Sequence, residues 1–470
     1  MNQGVLAFEV EVAERPDAVT GRAGLPLVVE MMRALGLDEV ISRQLKVRQR
    51  EGGYREVEKI EALVLLMASG GECLDDIRVL QSDLGLLRLL ERRLPSPDAL
   101  LSFLYAFHDP QLIKKAQERR SPDTVAYIPE ESPALLGLGR VNLELVQRVA
   151  ARGKATKATL DCDATIQESH KQEALPHYKG GRGYQPVAIY WVEQDLVLAD
   201  EYRDGNVPAG MSNLPIIKRG FQNLPRTVRE YYFRADSACY DEAVLKWLAD
   251  PERKAGPAGP IGFTISADMS VELRAVCKAL PEQAWRPFED RPEETVSCAE
   301  VEFVPGHWRK DAWPLRYLAL RVQKKQTRLF EQAPEILYLA VVTNREGKIE
   351  ELVRWHWQKA GTIEFVHDVS KNEVAAAVPP CGRFGANAAW YRLSLLTYNV
   401  LSAMKSLALP AHLSTARPKR LRFSVFTLAG RIVSHAGRLV VRVGGEAEKL
   451  AGLIAARLQL AQLRSLLAST

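Results

Sequence analysis

Two aspartates stand where short, strand-like runs of the sequence end. Asp163 closes the run TLDCD, and Asp236 closes the run REYYFRAD. Acids at the ends of adjacent strands point into one cleft, which is where open α/β sheets place their active sites. Asp161 lies two residues before Asp163 and shares its strand face, so the pattern alone does not exclude Asp161 as the acid of that strand. We prefer Asp163 and pair it with Asp236.

A third acid, Glu364, lies in a stretch of helical pattern, and Lys371 follows it two helical turns later. Side chains at this interval share one helix face. Taken alone, such a pair is typical of an exposed charged stripe. The sequence contains no glycine-rich phosphate loop, nucleophile elbow or HExxH motif, so it gives no support to a hydrolase that works through Ser or Cys. A few carboxylates without His or Cys suit a cation that prefers oxygen ligands, such as Mg²⁺.

The elements that would position these acids alternate between strands and helices. After Gly153, short runs rich in β-branched and aromatic residues predict strands in ATKATLDCDAT, QPVAIYWVE, DLVLADEYR and REYYFRADS. Helical stretches are expected around Asn213 to Gln222 and Asp241 to Leu248. This alternation predicts a mixed α/β layer fold.

The pattern divides the chain into five regions. We expect a helical N-terminal domain, a core in two parts, a β-rich insertion between those parts, and a basic, mostly helical C-terminal region. The expected boundaries are 1–153 for the N-terminal domain, 154–254 and 346–410 for the two parts of the core, 255–345 for the insertion, and 411–470 for the C-terminal region. One helix is expected through HWQKAGTIEFVHDVSKNE, residues 356–373. The N-terminal helices suit a DNA-binding module and any small helical bundle alike.

Composition indicates a globular protein of mixed charge. The chain has 470 residues, 63 of them basic and 58 acidic, and a formal charge of +5. No apolar run approaches the roughly 18 residues of a membrane span, and acids occupy the start where a signal peptide needs a basic and then an apolar stretch. We therefore expect a cytoplasmic protein. Six scattered cysteines are expected to be reduced thiols.

One basic cluster stands out near the C-terminus. Arg417, Lys419, Arg420 and Arg422 lie within a few residues of one another. Such a cluster indicates either a phosphate-binding patch or solvated surface charge.

Several motifs together resemble the DDE transposases of bacterial insertion sequences, and the best fit is the family numbered thirteen-eighty. The motifs are LDCDAT, GYQPVAIYW, the pair Gly205 and Asn206, FRADSACYDEAVLKWL and KAGTIEFVHDVSKNE. The N-terminal segments AGLPLVVEMMRALGL, GGECLDDIRVLQSD and LPSPDALLSFLYAFHDP resemble that family's N-terminal region. The resemblance implies an α/β fold with an RNase-H-like mixed-sheet core, in which Asp163, Asp236 and Glu364 are the catalytic triad.

The wider clan carries a Tyr, Arg, Glu, Lys signature on one helix, and Glu364 and Lys371 fit its last two positions. Trp357 stands at the Tyr position, and Lys359 stands near the Arg position with a shift of one residue. This leaves open whether Lys359 or Arg354 contacts the DNA backbone. By the resemblance, Lys371 would neutralise a phosphate, and Trp357 would stack on an unpaired base or else pack in the core.

The resemblance also implies the activity and the partners. The triad would hold two Mg²⁺ ions, with Mn²⁺ as a substitute, and would cut double-stranded DNA at transposon ends before strand transfer into target DNA. The N-terminal helices would bind the terminal inverted repeats, and the basic segment from Arg417 to Arg422 would bind the backbone. A homodimer associated with the nucleoid is expected. The alternatives are an RNase-H-like nuclease or resolvase, and an inactivated transposase that only binds DNA.

Overall fold

The structure is a computed structural model that describes residues 11–12, 14–47, 52–119, 126–153, 155–306, 308, 315–325, 336–445 and 447–468. These residues form a mixed α/β protein with one large sheet and many helices. No helix among them is long and apolar enough to cross a bilayer.

The N-terminal region is mostly helical. After a short strand, β1 (Val19–Thr20), it contains the helices α1 (Pro26–Ala34), α2 (Leu37–Gln44), α3 (Glu56–Ala68), α4 (Ile77–Gln81), α5 (Leu84–Leu90), α6 (Pro97–Tyr105), α7 (Pro110–Arg119) and α8 (Pro133–Gly153). The start of α6 has an N-cap, because Ser96 Oγ accepts a hydrogen bond from the Ala99 amide at 3.2 Å. Helix α3 is buried at almost every position and forms the centre of the helical region.

Short strands and two helices follow, close to the predicted positions. They are β2 (Lys157–Ala164), β3 (Gln167–Glu168), β4 (Leu175–Pro176), β5 (Arg182–Tyr184), β6 (Val187–Trp191), β7 (Leu196–Glu201), α9 (Asn213–Gln222), β8 (Glu230–Ala235), α10 (Glu242–Ala249) and β9 (Ile261–Ser266). The stretch predicted as an insertion is β-rich. After β9 it contains α11 (Val271–Ala279), β10 (Arg286–Asp290), β11 (Glu294–Val301), β12 (Arg316–Lys324) and β13 (Ile336–Thr343).

Within the described residues, nine of these strands form one continuous sheet in the order β10-β11-β12-β13-β9-β8-β2-β6-β7. Strand β8 runs parallel to both β2 and β9, and the other neighbours are antiparallel. The strands of the insertion therefore extend the core sheet from its β9 edge. The remaining short strands β3, β5 and β4 form a separate sheet.

The C-terminal part returns to helices. It contains α12 (Ile349–Trp357), α13 (Ile363–Glu373), α14 (Phe384–Leu407), α15 (Pro418–Leu421), a π-helical turn (Arg422–Phe426), the hairpin β14 (Gly430–His435) and β15 (Arg438–Val443), and α16 (Ala447–Ala468). Helix α14 is buried along most of its length and packs against α3, α8 and β7. It thereby joins the helical region to the sheet in one core.

The single helix expected over residues 356–373 is wrong. Helix α12 ends at Trp357, a 3-10 turn covers Gln358–Gly361, and α13 starts after Thr362, whose backbone is not helical (φ −117°, ψ −89°). Gly and Thr are weak helix formers, and the Thr362 hydroxyl donates a hydrogen bond to the carboxylate of Asp161. The bend turns the segment between the two helices towards the sheet.

Candidate active site

The two strand-end aspartates lie side by side. The parallel pairing of β2 and β8 ends with Cys162 opposite Ala235, so Asp163 and Asp236 are the next residues on both strands. Asp163 Oδ1 accepts a hydrogen bond from the Ala164 amide at 3.0 Å. Asp236 Oδ1 accepts one from the amide of Ala238 at 3.1 Å and caps a 3-10 turn. Both carboxylates are partly buried.

A buried ammonium group connects Asp163 to the third predicted acid. Lys359 Nζ lies 3.2 Å from Asp163 Oδ2 and 3.8 Å from Glu364 Oε1. Lys359 comes from the bend between α12 and α13, and Glu364 lies in the first turn of α13. The side chain of Lys359 is 10% exposed, whereas that of Glu364 is 53% exposed. One cation therefore joins a strand-end acid to a helix acid.

The electrostatics of the site favour a cation between the acids. Burial raises the pKa of Asp163, although Lys359 counteracts this. Burial and the charge of Asp163 raise the pKa of Asp236. Burial alone would lower the pKa of Lys359, but the charges of Asp163 and Asp236 outweigh burial and raise it. The two aspartates thus carry unfavourable negative charge at neutral pH that a cation relieves.

The other aspartate of β2, Asp161, is occupied by a buried ion pair. It is fully buried, and Arg234 of β8 donates to it twice, from Nε at 2.7 Å and from Nη2 at 2.9 Å. Arg234 Nη1 also donates to the carbonyl oxygen of Trp355 at 2.8 Å, and the Thr362 hydroxyl donates to Asp161. This network connects both strands to the end of α12 and the start of α13. It sets the position of Glu364 relative to the two strand ends.

The donor set suits a hard divalent cation. The Lys359 ammonium lies within ion-pair distance of Asp163 and Glu364, and Asp236 is the neighbouring acid at the same sheet edge. Among the described residues, no group of three His, Cys, Asp or Glu side chains has metal-binding geometry. Asp163, Asp236 and Glu364 would therefore hold a metal ion only after the Lys359 ammonium has moved aside.

The remaining residues predicted near the glutamate are spread over two surfaces. Lys371 is half-buried on α13. Trp357 packs against Phe288 of the insertion, with ring centroids 5.1 Å apart, and Arg291 covers its ring at 5.0 Å. The Arg354 guanidinium lies 4.7 Å from the Phe288 ring. The structure thus brings Lys359 to the acids but holds Trp357 and Arg354 against the insertion.

The basic segment is docked on the helix that carries Glu364. Arg417 pairs with Asp368 and Glu373 of α13, each at 2.5 Å, and Arg422 Nη1 donates to the Glu373 carbonyl oxygen at 2.9 Å. Lys419 and Arg420 are exposed. Half of the predicted DNA-binding cluster therefore stabilises the fold, and the other half faces solvent.

Sequence reasoning missed Arg234, although a signal for it exists. Arg234 and Asp161 each lie two residues before a candidate acid, and parallel strands in register place such residues opposite each other. It also missed Phe423, which is 86% exposed in the turn after Arg420. The contact of Lys359 with the acids depends on the bend, which no local pattern indicated.

Comparisons with known proteins give one family match. No curated protein matches the sequence. Among solved structures, the chain is similar to a piggyBac transposase in a synaptic complex with hairpin DNA, studied by cryo-electron microscopy, with 11% identity, a TM-score of 0.47, and coverage of 86% of this chain and 80% of that one. The family model described as transposase DDE domain group 1 matches residues 3–465, so the chain belongs to this family of DDE transposase domains.

Proposed function

We propose that this protein is an insertion-sequence transposase of the family numbered thirteen-eighty. It binds the terminal inverted repeats of its element, cuts the DNA at the ends and joins the freed 3′ ends to target DNA. Asp163, Asp236 and Glu364 are the proposed metal ligands, with Mg²⁺ as the ion and Mn²⁺ as a substitute. The order of the strands β7, β6, β2, β8 and β9 supports the RNase-H-like interpretation of the core.

One observation carries this proposal. The buried Lys359 ammonium contacts Asp163 and Glu364 and is influenced by the charge of Asp236, in a chain that belongs to a family of DDE transposase domains. An ordinary surface salt bridge between lysine and glutamate would not have two partly buried aspartates beside it. A site that already holds one cation in the midst of its acids is suited to exchange it for a divalent one.

The residues of this chain would divide the work as follows. Asp163 and Asp236 provide rigid oxygen ligands because strands β2 and β8 position them. Glu364 completes the set from the more exposed first turn of α13, which the buried pair of Asp161 and Arg234 keeps close. When bound, Mg²⁺ would activate a water molecule or 3′-hydroxyl and stabilise the leaving oxygen.

DNA would reach the acids along the surface next to α13. Lys371 on α13 and the exposed Lys419 and Arg420 supply positive charge for phosphates. The exposed ring of Phe423 lies in the same segment and can pack against a base or a sugar. We further propose a homodimer, since two transposon ends have to be handled together, and an association with the nucleoid through the DNA.

The test is cleavage and strand transfer on labelled DNA that carries the element's own terminal repeats, with Mg²⁺ or with a chelator. Asp163→Asn, Asp236→Asn and Glu364→Gln are each expected to reduce cleavage by at least about a hundredfold while DNA binding is kept. Asp290→Asn is a matched control, because Asp290 is exposed on the edge strand β10. It should cleave like the wild type.

Three outcomes would contradict parts of the proposal. Full activity in all three variants would refute the DDE assignment. Cleavage without joining would indicate a nuclease or resolvase. DNA binding without metal-dependent cleavage by the wild type would indicate a protein that only binds DNA.

A further inference from the structure

The C-terminal hairpin presents a positively charged face to solvent. Strands β14 and β15 pair with each other, and β14 also pairs with β1, in a small three-stranded sheet. On β14, Gly430 and Ile432 are buried, so the alternate residues point outward. The outward face carries four basic residues and two valines. These are Arg431, Val433 and His435 of β14, and Arg438, Val440 and Arg442 of β15.

The arrangement of charge on this face is unfavourable for folding by itself. Arg431 lies directly opposite Arg442. Like charges at directly opposite positions of an antiparallel pair destabilise a sheet. No ion pair or hydrogen bond joins the side chains of Arg431, Arg438 or Arg442 to another described residue. The three guanidinium groups therefore make no stabilising contact with the described part of the hairpin.

Arginines on other surface strands behave differently. Arg316 of β12 pairs with Glu300 at 2.8 Å, and Arg321 of the same strand pairs with Glu282 at 2.6 Å. The opposite face of the hairpin contacts the helical region, because Arg88 of α5 donates to Ser434 Oγ at 2.9 Å. A strand pair with unpaired arginines on its solvent side is suited to an anionic partner.

We propose that this cationic face, defined by Arg431, His435, Arg438 and Arg442, binds the phosphate backbone of duplex DNA at a second contact away from the acids. The proposal rests on the proposed transposase function, which makes DNA the anionic partner. Arg438 and Arg442 are four residues apart, which corresponds to about 13 Å along the strand. That length of duplex axis carries about eight phosphate charges.

The position of the face in the chain agrees with this role. The hairpin follows α15, which carries Arg420, and the π-helical turn, which carries Phe423. The Lys419 amide of α15 donates to Glu373 of α13. One continuous segment thus leads from the candidate active site to the cationic face. DNA that is bound at Lys419 and Arg420 can make a second contact with the hairpin.

The experiment measures how the affinity of the full chain for a duplex with the terminal repeats depends on salt, by fluorescence anisotropy. Each phosphate contact contributes about 0.9 to the slope of log affinity against log salt. The triple variant Arg431→Gln, Arg438→Gln, Arg442→Gln is expected to lower the magnitude of this slope by up to about 2.7. Its melting temperature should stay the same or rise, because like charges are removed and no partner is lost.

Two control variants make the result specific. The triple exchange of the same arginines to Lys keeps the charge and should keep the slope. The triple exchange Lys254→Gln, Lys278→Gln, Lys348→Gln removes the same charge from exposed positions elsewhere and should also keep it. If the triple Gln variant does not fold, Arg438→Gln alone should lower the slope by about 0.9.

An unchanged slope in the folded Gln variant would overturn the proposal. An equal decrease of the slope in the control variant of Lys254, Lys278 and Lys348 would also overturn the proposal. The decrease would then be an effect of net charge and not of this face. The proposed function is tested separately by metal-dependent cleavage with the wild type. A wild type that binds DNA through this face but never cuts it would refute the proposed enzyme and keep the face.

Discussion

Asp161 and Asp163 differ in their surroundings although they share one face of β2. Asp161 is fully buried and bound twice by Arg234, whereas Asp163 contacts Lys359 at the edge of the site. A carboxylate whose oxygen atoms are already occupied by a guanidinium group is a poor metal ligand. The geometry thus supports the choice of Asp163, which stays a prediction until activity is measured.

The same contrast predicts different costs of mutation. Asp161→Asn leaves the buried Arg234 without its counter-ion, so it should lower the free energy of unfolding by roughly 3–5 kcal/mol. Asp163→Asn leaves Lys359 near the charges of Glu364 and Asp236, so it should abolish cleavage with a smaller loss of stability than Asp161→Asn. Urea titrations of both variants beside cleavage assays give the comparison. A stable, inactive Asp161 variant together with an active Asp163 variant would reverse the two roles.

Some single residues of the site could be predicted from the sequence, and others could not. Asp163 and Asp236 were identifiable because each follows a run of strand-forming residues. The place of Lys359 was not, because it depends on a bend that brings residues distant in sequence together. The local pattern around Glu364 was compatible with an unbroken helix, and the bond from Thr362 to Asp161, which a local pattern cannot show, contributes to the break.

At the scale of elements, a buried network of ion pairs connects four parts of the fold. It joins the segment that precedes α8 with the helices α9 and α14 and with the strand β7. Glu131 Oε1 accepts from Arg219 at 3.0 Å and from Arg392 at 2.9 Å, and Arg392 Nε donates to Asp200 at 2.8 Å. Burial alone would raise the pKa of Glu131, but Arg392 and Arg219 lower it to about 2. Glu131 therefore stays ionised and joins three elements at neutral pH.

Removal of that charge should separate these elements. Glu131→Gln leaves Arg392 partly uncompensated, so we expect a loss of roughly 3–5 kcal/mol in the free energy of unfolding. The neighbouring Glu130 pairs with Arg119 on the surface, where the two side chains are 68% and 70% exposed. Glu130→Gln should therefore cause no measurable change by urea titration. Equal effects of the two variants would contradict the role of the network.

Helix α12 contacts β9 through a buried histidine that should make stability depend on pH. Both ring nitrogens of His356 are 3.0 Å from hydroxyl oxygens, one from Ser266 and one from Thr264. Burial, with the charges of Lys359 and Arg234, lowers the pKa of His356 to about 3. The pKa of His356 in the unfolded chain is about 6.5. At pH values between the folded and the unfolded pKa, the unfolded chain binds a proton on His356 that the folded chain does not bind. Stability contributed by neutral His356 is thus lost as pH falls below about 6.5.

The expected loss through His356 is about 2 kcal/mol between pH 7.5 and pH 5. His356→Asn should be less stable than the wild type at pH 7.5 but should show a smaller decrease towards pH 5. Urea titrations at both pH values measure the difference. His412 is exposed, so His412→Asn should keep the full decrease of the wild type. A decrease that is unchanged in the His356 variant would exclude this residue as its source.

Elements with strong local periodicity could be predicted, and short ones with distant partners could not. The helices of residues 26–153 and the strands around the two aspartates agree with their sequence patterns. Strand β1 has only two residues and pairs with β14 near the other end of the chain. No local pattern specifies such a partner, since the pairing is decided by the tertiary fold.

Across the whole molecule, the insertion supports the turn that carries Asp236. The hydroxyl groups of Tyr240, after that turn, and Tyr317 of β12 are 2.9 Å apart. The rings of Phe303 and Trp308 pack against these two tyrosines. The insertion was predicted as β-rich, but its contact with the core was not, because hydropathy cannot specify which sheet edge a strand joins.

This contact predicts a long-range effect on activity. Tyr317→Phe removes one buried hydrogen bond, so we expect a loss of about 1 kcal/mol in the free energy of unfolding. If all of it reached the transition state, the cleavage rate would fall by about fivefold. Tyr338→Phe on β13 is the control, because no hydrogen bond of the Tyr338 hydroxyl to a described residue is seen. Equal cleavage rates in the two variants would show that this contact of the insertion has no effect on the activity of the site.

The continuous sheet formed by the described strands also affects how the protein is made. Strand β9 obtains its neighbour β13 only after the whole insertion has been synthesised, and α13 follows later still. N-terminal parts of a chain leave the ribosome first, so the two aspartates emerge long before Glu364. On the proposed assignment, a chain stopped early by a frameshift or a nonsense codon has an open sheet edge and an incomplete set of acids. Such fragments would aggregate or be degraded by proteases, and they would not cut the DNA of the host.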